Sequence, residues 1–289
     1  MSDWKVVGET RDRLGESVLW HPLEQALYWV DFYEPGIRRL DPATGDCRQW
    51  RLDDATAIGS IAFATGGRLL AATDRGVHLF NPDNGTIVPF ADPNEGRAGI
   101  GYNDGKIDRD GRYWIGTYDI AEKSPRGILY RIDADRAVTM GDSGYVVCNG
   151  PAFSPEGDTL YFSDTIGRRI VAYHLDRASG RLEMARELVA FDESAGLPDG
   201  ICVDRAGNLY VAHYGGGRIS RIDVGSREID VIPLPVRNVT SCCLGGPMLD
   251  TLYVTTADDG GRHPLDGALF AMKAPVPGLP EPEFPSSVA

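Results

Sequence analysis

The sequence predicts an all-β fold, a six-bladed β-propeller, because one phrase recurs along the chain. The phrase is a polar residue, a short apolar run, a tight turn and a second apolar strand. Its clearest copies begin at Asn103, Asn149 and Asp199, and in each copy a turn glycine lies eight residues further on. The second strands recur every 42 to 49 residues. This is the period of propeller blades, and no stretch has the pattern of a long amphipathic helix.

The six predicted blades are read from their second and third strands. The second strands open with a large, mostly aromatic residue, at Tyr28, Leu70, Trp114, Tyr161, Tyr210 and Tyr253. A third strand follows each one, as at residues 37–41 and 77–80, and weaker fourth strands fit near 48–50 and 87–90. Gly, Pro, Asn and Asp separate the runs, as they do in β-hairpins. Six units of four strands predict blades that pack radially around a central channel.

Both ends of the chain fall outside this repeat. Residues 4–7 have the pattern of a short strand. We predict that this strand completes the outer edge of the last blade, which would close the ring and cover an open sheet edge. From about Ala274 the chain carries five prolines, which predicts a non-repeating tail. No shift in composition marks a domain boundary, so residues 1–289 are interpreted as a single domain.

The composition argues against several classes of partner. The formal net charge is −13 and no cluster of Lys and Arg interrupts it, which argues against nucleic acid and anionic membranes. No apolar run approaches the roughly 18 residues of a membrane-spanning helix. The N-terminus lacks the basic-then-apolar pattern of a signal peptide. We therefore expect a cytoplasmic protein, monomeric or weakly homo-oligomeric, whose partner is a small molecule.

The Cys, Ser and His residues do not match several common catalytic sites. Five cysteines, an odd number without a CxxC pair, predict reduced and buried thiols. No serine lies in a Gly-x-Ser-x-Gly elbow and no histidines form an HExxH pair, so neither a serine triad nor a His-rich zinc site is expected. His213, at the end of a second strand, is interpreted as structural.

The first strand of each propeller blade lines the channel, so the leading residues of the six phrases should form a ring. The expected ring is Glu16, Gly59, Asn103, Asn149, Asp199 and Cys242. Two of its members are carboxylates and two are amides, and the carboxylates would repel each other unless a cation lay among them. Each motif alone is also ordinary turn chemistry. Their shared register favours a divalent metal site with oxygen ligands.

Motifs from the first blade to the last carry a family resemblance. They are LGES at 14–17, YNDGK at 102–106, GRYWIGT at 111–117, NG at 149–150, LPDG at 197–200, GGR at 216–218 and TSCCLGG at 240–246. In these motifs the chain resembles the SMP-30/gluconolactonase/LRE family, six-bladed propellers that include regucalcin and sugar lactonases. The resemblance implies one divalent metal ion held by Glu16, Asn149 and Asp199. Such ligands leave Ca, Zn, Mn, Mg and Fe(II) open.

The resemblance also implies a set of substrate-binding residues. Asn103 matches the substrate-contacting Asn of the family, with Asp104 beside it. An acid in a later loop of the family matches Asp119, taken here as the first choice, or Glu122, because the spacing allows either.

One departure from the family concerns the residue two positions before this Asn. Many members carry Arg there, whereas this chain has Gly101. Arg97 could substitute for it through a different loop path. The departure bears on which sugar is bound and leaves the expected metal site unchanged.

We therefore predict a metal-dependent lactonase that opens a sugar (aldono-)lactone to the aldonic acid in carbohydrate catabolism. Asp199 is the candidate catalytic base, because a ligand carboxylate can keep one oxygen free for a water. Asn103 would orient the lactone hydroxyls, and Asp104 would fix the loop. Two alternatives stay open: an aryl-ester or organophosphate hydrolase on the same metal site, and a non-catalytic, regucalcin-like calcium-binding protein. A propeller that serves only as an interaction platform would not explain the carboxylates in the ring.

Overall fold

The computed structural model describes residues 3–286 and consists of six four-stranded antiparallel sheets, so the predicted six-bladed β-propeller is confirmed. In chain order the strands are β1 Lys5–Val7, β2 Gly15–His21, β3 Ala26–Asp31, β4 Gly36–Leu40, β5 Cys47–Arg51, β6 Ile58–Ala64, β7 Arg68–Thr73, β8 Gly76–Phe80, β9 Ile87–Ala91, β10 Ile100–Ile107, β11 Tyr113–Asp119, β12 Gly127–Ile132, β13 Val138–Tyr145, β14 Cys148–Phe153, β15 Thr159–Asp164, β16 Arg169–Asp176, β17 Arg181–Ala190, β18 Leu197–Val203, β19 Leu209–Tyr214, β20 Arg218–Ile222, β21 Ile229–Pro233, β22 Val239–Gly245, β23 Thr251–Thr256 and β24 Leu269–Lys273. Within the described residues the one helical element is a 3₁₀ turn, Glu193–Ala195.

Five blades are continuous stretches of chain, and the sixth is shared between the two ends. Blades one to five consist of β2–β5, β6–β9, β10–β13, β14–β17 and β18–β21, each paired in sequence order. Blade six has the order β1-β24-β23-β22. The first strand of each blade contacts the first strands of both neighbouring blades, from β2 through β22 and back to β2. These six inner strands therefore surround the channel.

The hydrophobic core lies between the blades. Six clusters of buried side chains are present, and each one joins residues from two adjacent sheets. Trp29, for example, is fully buried between blades one and six, and Trp114 between blades three and four. The large residues near the start of the second strands supply much of this core. Blades that pack radially diverge away from the channel, so bulky side chains are needed to fill the space between neighbouring sheets.

Strand β1 closes the ring as predicted. It pairs antiparallel with β24, with Lys5 opposite Ala271 and Val7 opposite Leu269. Trp4 reaches beyond this edge, and its indole N–H donates to the carbonyl of Pro233 in blade five at 2.8 Å. Residues 4–7 thus cover the open edge of the last sheet.

The proline-rich tail does not join a blade but runs across the end of the propeller where the inner strands finish. Gly278 forms a bridge with Asp204 in the turn that follows β18. Further along, Phe284 forms a parallel bridge with Ala64 at the end of β6 and is fully buried. The tail therefore spans from blade six across to blade two and covers this end of the channel.

The pairing register places five of the six expected ring residues at one equivalent position. In blade five, for example, Tyr210 near the start of the second strand pairs with Cys202, and the ring residue Asp199 lies three positions before Cys202. The same spacing holds in blades one to four. A bulge interrupts the inner strand at this position, which turns the side chain towards the channel mouth. A Cβ on Gly59 would lie 2.5 Å from the carbonyl oxygen of Asn103, so the second blade has no room for a side chain there.

The assignment of Cys242 to this ring is wrong. In blade six Tyr253 pairs with Cys243, and the bulge falls between Val239 and Ser241, so the equivalent residue is Thr240. The turns at 204–208 and 246–250 are equally long, but Tyr253 pairs one position further from its turn than Tyr210 does, so counting along the sequence shifts the register. The thiol of Cys242 instead packs in the core, with its sulfur 3.5 Å from that of Cys202.

The cysteines are free, as predicted, and four of the five are buried. Cys47 is exposed, contrary to the expectation, because it begins β5, the outermost strand of blade one. Within residues 3–286 no helix has the length and apolar character needed to cross a membrane.

Candidate active site

A cavity of about 360 Å³ opens at the end of the channel where the inner strands begin. Its lining includes Glu16, Asn103, Asn149 and Asp199, from the inner strands of blades one, three, four and five. The structure therefore brings the three predicted metal ligands and the predicted substrate-binding Asn103 into one pocket.

Three buried carboxylates, of Glu16, Asp104 and Asp199, influence one another at this site. Burial raises the pKa of Glu16 well above its ordinary value, and the charges of Asp199 and Asp104 raise it further. Burial and then the charge of Asp104 raise the pKa of Asp199 in the same direction. Burial raises the pKa of Asp104 to about 7, although the ammonium group of Lys106 opposes this. Several buried carboxylates in one place are costly to ionise unless a cation compensates them.

The donor set fits a hard divalent cation. Oδ1 of Asp199 is buried and has no hydrogen-bond partner within the described residues. Carboxylate and amide oxygens are the ligands that Ca²⁺, Mg²⁺ and Mn²⁺ prefer. Across residues 3–286, no three side chains of the Cys, His, Asp and Glu types are grouped so as to hold a metal. The candidate set therefore depends on the amide of Asn149 as its third member.

A chain of hydrogen bonds runs from the predicted substrate-binding residue, Asn103, to the predicted metal ligand Asn149 and beyond. The side-chain amide of Asn103 donates to Oδ1 of Asn149 at 2.7 Å and to the backbone carbonyl of Cys148 at 2.8 Å. The amide of Asn149 in turn donates to Oγ1 of Thr165 at 3.2 Å. Thr165 donates to the carbonyl of Pro198, beside Asp199, at 2.9 Å. This chain of hydrogen bonds fixes the orientation of both amides.

Asp104 lies below the cavity rather than in its lining. Its Oδ1 accepts the backbone N–H of Gly105 at 2.9 Å, as expected of a residue that fixes the loop. Lys106 lies beneath it, and its Nζ donates to the carbonyl of Ile201 at 3.1 Å and is 3.7 Å from Oε1 of Glu281 in the tail. The charges therefore alternate along the channel, from the carboxylates of the pocket through Lys106 to Glu281.

The two candidates for the loop acid occupy different places. Asp119 is buried and accepts the backbone N–H groups of Lys123 and Ser124, both at 3.0 Å, and these bonds lower its pKa. It is not part of the cavity lining, whereas Glu122, at the rim of the same loop, is. The structure thus places Asp119 as a support of the loop and Glu122 at the pocket.

Position 101 has no room for an arginine in this backbone. A Cβ on Gly101 would lie 2.3 Å from Cε1 of Tyr118, whose ring covers the glycine. Arg97 does not replace the missing side chain, because its guanidinium donates to the backbone carbonyl of Arg126 at 2.7 Å and to the hydroxyl of Tyr130 at 3.2 Å. It is absent from the cavity lining.

His213 is buried outside the pocket. Its ring packs edge-on against Phe191 with the ring centroids 4.7 Å apart. Burial is the main cause that lowers its pKa to about 3, so the imidazole is neutral at physiological pH. These surroundings agree with the structural role predicted for it.

The sequence analysis missed most of the cavity wall. Most of the missed residues lie at or just after the ends of second strands, and they include Phe32, Tyr33, Tyr118, Thr165, Tyr214 and Asp258. Because a second strand runs antiparallel to the inner strand, it ends at the mouth where the inner strand begins. A search for polar and aromatic residues at these strand ends would have found them.

Comparisons with known proteins agree with this geometry. A family model described as SMP-30/Gluconolactonase/LRE-like region matches residues 14–258. The chain is 34% identical to a pentonolactonase of Haloferax volcanii, over 95% of this chain and 96% of the relative. It is 33% identical to a 6-deoxy-6-sulfogluconolactonase of Pseudomonas putida, over 94% of each.

A solved structure extends the comparison to three dimensions. The calcium-binding protein regucalcin of Agrobacterium tumefaciens matches with a TM-score of 0.91 at 27% identity, over 96% of each chain. The family match begins in the inner strand of blade one and ends just after β23 of blade six, so it includes every ring position. The chain belongs to the SMP-30/gluconolactonase/LRE family.

Proposed function

We propose that this protein hydrolyses a sugar lactone to the aldonic acid, with one divalent metal ion held by Glu16, Asn149 and Asp199. The observation that carries the proposal is the convergence of these three side chains in one cavity, where Oδ1 of Asp199 has no partner within the described residues. Two relatives, named as a pentonolactonase and a 6-deoxy-6-sulfogluconolactonase, support the reaction class.

The ring side chains have separate roles in this proposal. A divalent cation, when bound, would supply polarisation of the lactone carbonyl and a lower pKa for water. Asp199 is the general base and takes a proton from the attacking water at its free oxygen. As the C–O bond of the lactone ring breaks, Asp199 returns this proton to the departing oxygen of the lactone, which becomes a hydroxyl group of the aldonic acid.

Asn103 and Glu122 are the proposed substrate contacts. Asn103 donates its amide N–H groups to Asn149 and Cys148, which leaves its side-chain carbonyl to accept a bond from a sugar hydroxyl. Glu122 at the rim can accept a second one. Asp104 and Asp119 support the pocket from behind, through the backbone N–H groups that they bind.

A second candidate function has one observation in its favour. Phe32, Tyr33, Tyr118 and Tyr214 give the cavity an aromatic wall. Such a wall suits the flat apolar face of an aryl ester as well as the C–H face of a sugar ring. Aryl-ester hydrolysis on the same metal site is therefore the alternative to test.

The test measures the hydrolysis of five- and six-membered sugar lactones and of aryl esters by the protons that the reaction releases. The rates are measured before chelation, after chelation and after addition of single metals. The variants Glu16→Gln, Asn149→Ala and Asp199→Asn should lose both turnover and metal binding, the latter measured by calorimetry. Asp53→Asn removes a carboxylate that is 90% exposed and serves as the control.

Chelator-sensitive lactone turnover that one metal restores would support the proposal. Faster turnover of aryl esters than of any lactone would replace it with the alternative. Metal binding without turnover of either class would favour a calcium-binding protein without catalytic activity, and full activity in the three ligand variants would exclude the metal mechanism.

A further inference from the structure

The aromatic ring of Tyr118 occupies the space of the absent side chain at position 101. Gly101 in β10 pairs directly with Tyr118 in β11, so both residues face the same side of the sheet. A Cβ added to Gly101 would lie 2.3 Å from Cε1, 2.7 Å from Cζ and 3.0 Å from the hydroxyl oxygen of Tyr118. The phenol end of the ring therefore lies against the glycine, and this pair fixes the ring position.

The same ring forms a wall of the cavity. Tyr118 is half-buried and belongs to the lining, and its ring centroid is 6.1 Å from that of Phe32, at a tilt of 62°. Burial raises the pKa of Tyr118 to about 12, and the neighbouring Tyr33 and Glu122 add to this effect, so the phenol stays protonated. No hydrogen bond joins its hydroxyl to another residue in the part of the chain that the structure describes. The hydroxyl is therefore free to donate to a ligand.

The charges around the cavity limit what this wall can accept. Glu16, Glu122, Asp199 and Asp258 contribute four carboxylates to the lining, and Arg13 is the one Lys or Arg side chain there among residues 3–286. The guanidinium of Arg13 lies 5.0 Å from the ring centroid of Tyr33 at the exposed rim. A bound divalent cation would offset two of the carboxylates. Among the described residues, no Lys or Arg other than Arg13 lines the cavity to pair with an anionic substituent.

We propose that Tyr118 is the residue that sets substrate specificity, by stacking on the sugar ring and donating to one of its hydroxyl groups, so that the pocket selects uncharged lactones over lactones with a phosphate or sulfonate substituent. This inference deepens the proposed lactonase function and rests on it. The proposed metal site does not require the Gly101–Tyr118 pair, and the inference gives this pair a role in substrate recognition.

The test compares kcat and KM for an uncharged hexonolactone and for the same lactone with a phosphate at C6. The unaltered protein should prefer the uncharged lactone. Tyr118→Ala should raise KM for it about tenfold, and Tyr118→Phe about threefold, with kcat changed less in both. Tyr214→Phe removes a phenol from the part of the wall that blade five contributes and should not alter the preference between the two lactones.

A double-mutant cycle separates specificity from a general loss of structure. Gly101→Ala should raise KM because the new methyl group displaces the ring, whereas adding the same change to Tyr118→Ala should have little further effect. Thermal unfolding of every variant identifies any that do not fold, and Tyr118→Phe preserves the packing on Gly101.

Each outcome decides the inference. Efficient turnover by the unaltered protein together with unchanged KM in Tyr118→Phe and Tyr118→Ala would overturn the role of Tyr118 and leave the lactonase function standing. Equal or better turnover of the phosphorylated lactone would overturn the selectivity. An unaltered protein with no activity on any lactone would overturn the proposed function, and this inference with it.

Discussion

The side-chain amide of Asn103 donates to Oδ1 of Asn149 at 2.7 Å. One of these residues is a proposed substrate contact and the other a proposed metal ligand, so under the proposed function the bond would couple substrate binding to the geometry of the metal site. It also runs between two blades, because Asn103 lies on β10 and Asn149 on β14.

Asn103→Ala is expected to weaken both functions of the pocket. Loss of the bond frees the amide of Asn149, and removing a hydrogen bond that orients a metal ligand costs about 10–100-fold in metal affinity or activity. We expect kcat/KM to fall by about this factor and metal affinity to fall less. Calorimetric titration with metal and steady-state kinetics at saturating metal would separate the two effects. Unchanged metal affinity would show that Asn103 acts on substrate alone.

The metal-free protein should be more stable at pH 5 than at pH 8. Burial raises the pKa of Glu16, Asp199 and Asp104 above their unfolded values, that of Asp104 to about 7. The folded state therefore holds protons that the unfolded state has lost, and stability falls as pH rises from about 4 through these raised pKa values. We expect a loss on the order of 3 kcal/mol.

Metal should abolish this pH dependence, because the cation compensates the carboxylates. Denaturant unfolding at several pH values, with and without metal, measures both curves. Glu16→Gln removes one of the charges and should flatten the metal-free curve. A metal-free protein whose stability rises between pH 5 and pH 8 would contradict the prediction.

Lys106→Met should destabilise the fold by about 3–5 kcal/mol, because it leaves Asp104 without its buried counter-charge. Glu281 faces the same ammonium group at 3.7 Å. The double variant Lys106→Met/Glu281→Gln should therefore recover part of the loss. Chemical unfolding of the two variants measures this, and Lys5→Ala, an exposed lysine on β1, is the control. Equal stability of Lys106→Met and the unaltered protein would contradict the alternating charge arrangement.

Deleting residues 1–8 should lower the melting temperature by roughly 5–10 °C and promote association. The deletion exposes the edge of β24 and removes the bond between Trp4 and Pro233. Thermal unfolding and light scattering would show the two effects. An unchanged melting temperature would mean that the pairing of β1 contributes little to closure.

The sequence predicted the blades, and the shared cavity of Glu16, Asn149 and Asp199, because both follow from the repeat. Asp199, Asn149 and Glu16 occupy one equivalent position, and their spacing from the second strands survives in all but the last blade. The prediction for Cys242 failed because Tyr253 lies one pair further from its turn than Tyr210 does, and the sequence does not show how many residues pair on each side of a turn. Pairing register could not be read from the sequence there.

The pocket wall was harder to predict, because its residues do not repeat. Tyr118 and Glu122 lie near a strand end where any polar or aromatic side chain is compatible with the fold. The spacing allowed either Asp119 or Glu122 as the substrate acid, but Asp119 binds two backbone N–H groups of its own loop. Which of two nearby acids faces a cavity depends on the loop conformation, which short-range sequence patterns do not specify.

The inner strands and the ends of the second strands contribute separately to the pocket. The ring carboxylates and amides come from the first strands, whereas the aromatic wall comes from positions where the second strands end or the loops begin. Substitutions in the wall can therefore change which molecule is accepted while the proposed metal ligands stay in place. If the proposed function holds, a protein built this way can acquire new substrates in small steps, without passing through forms that have lost the metal site and with it the reaction.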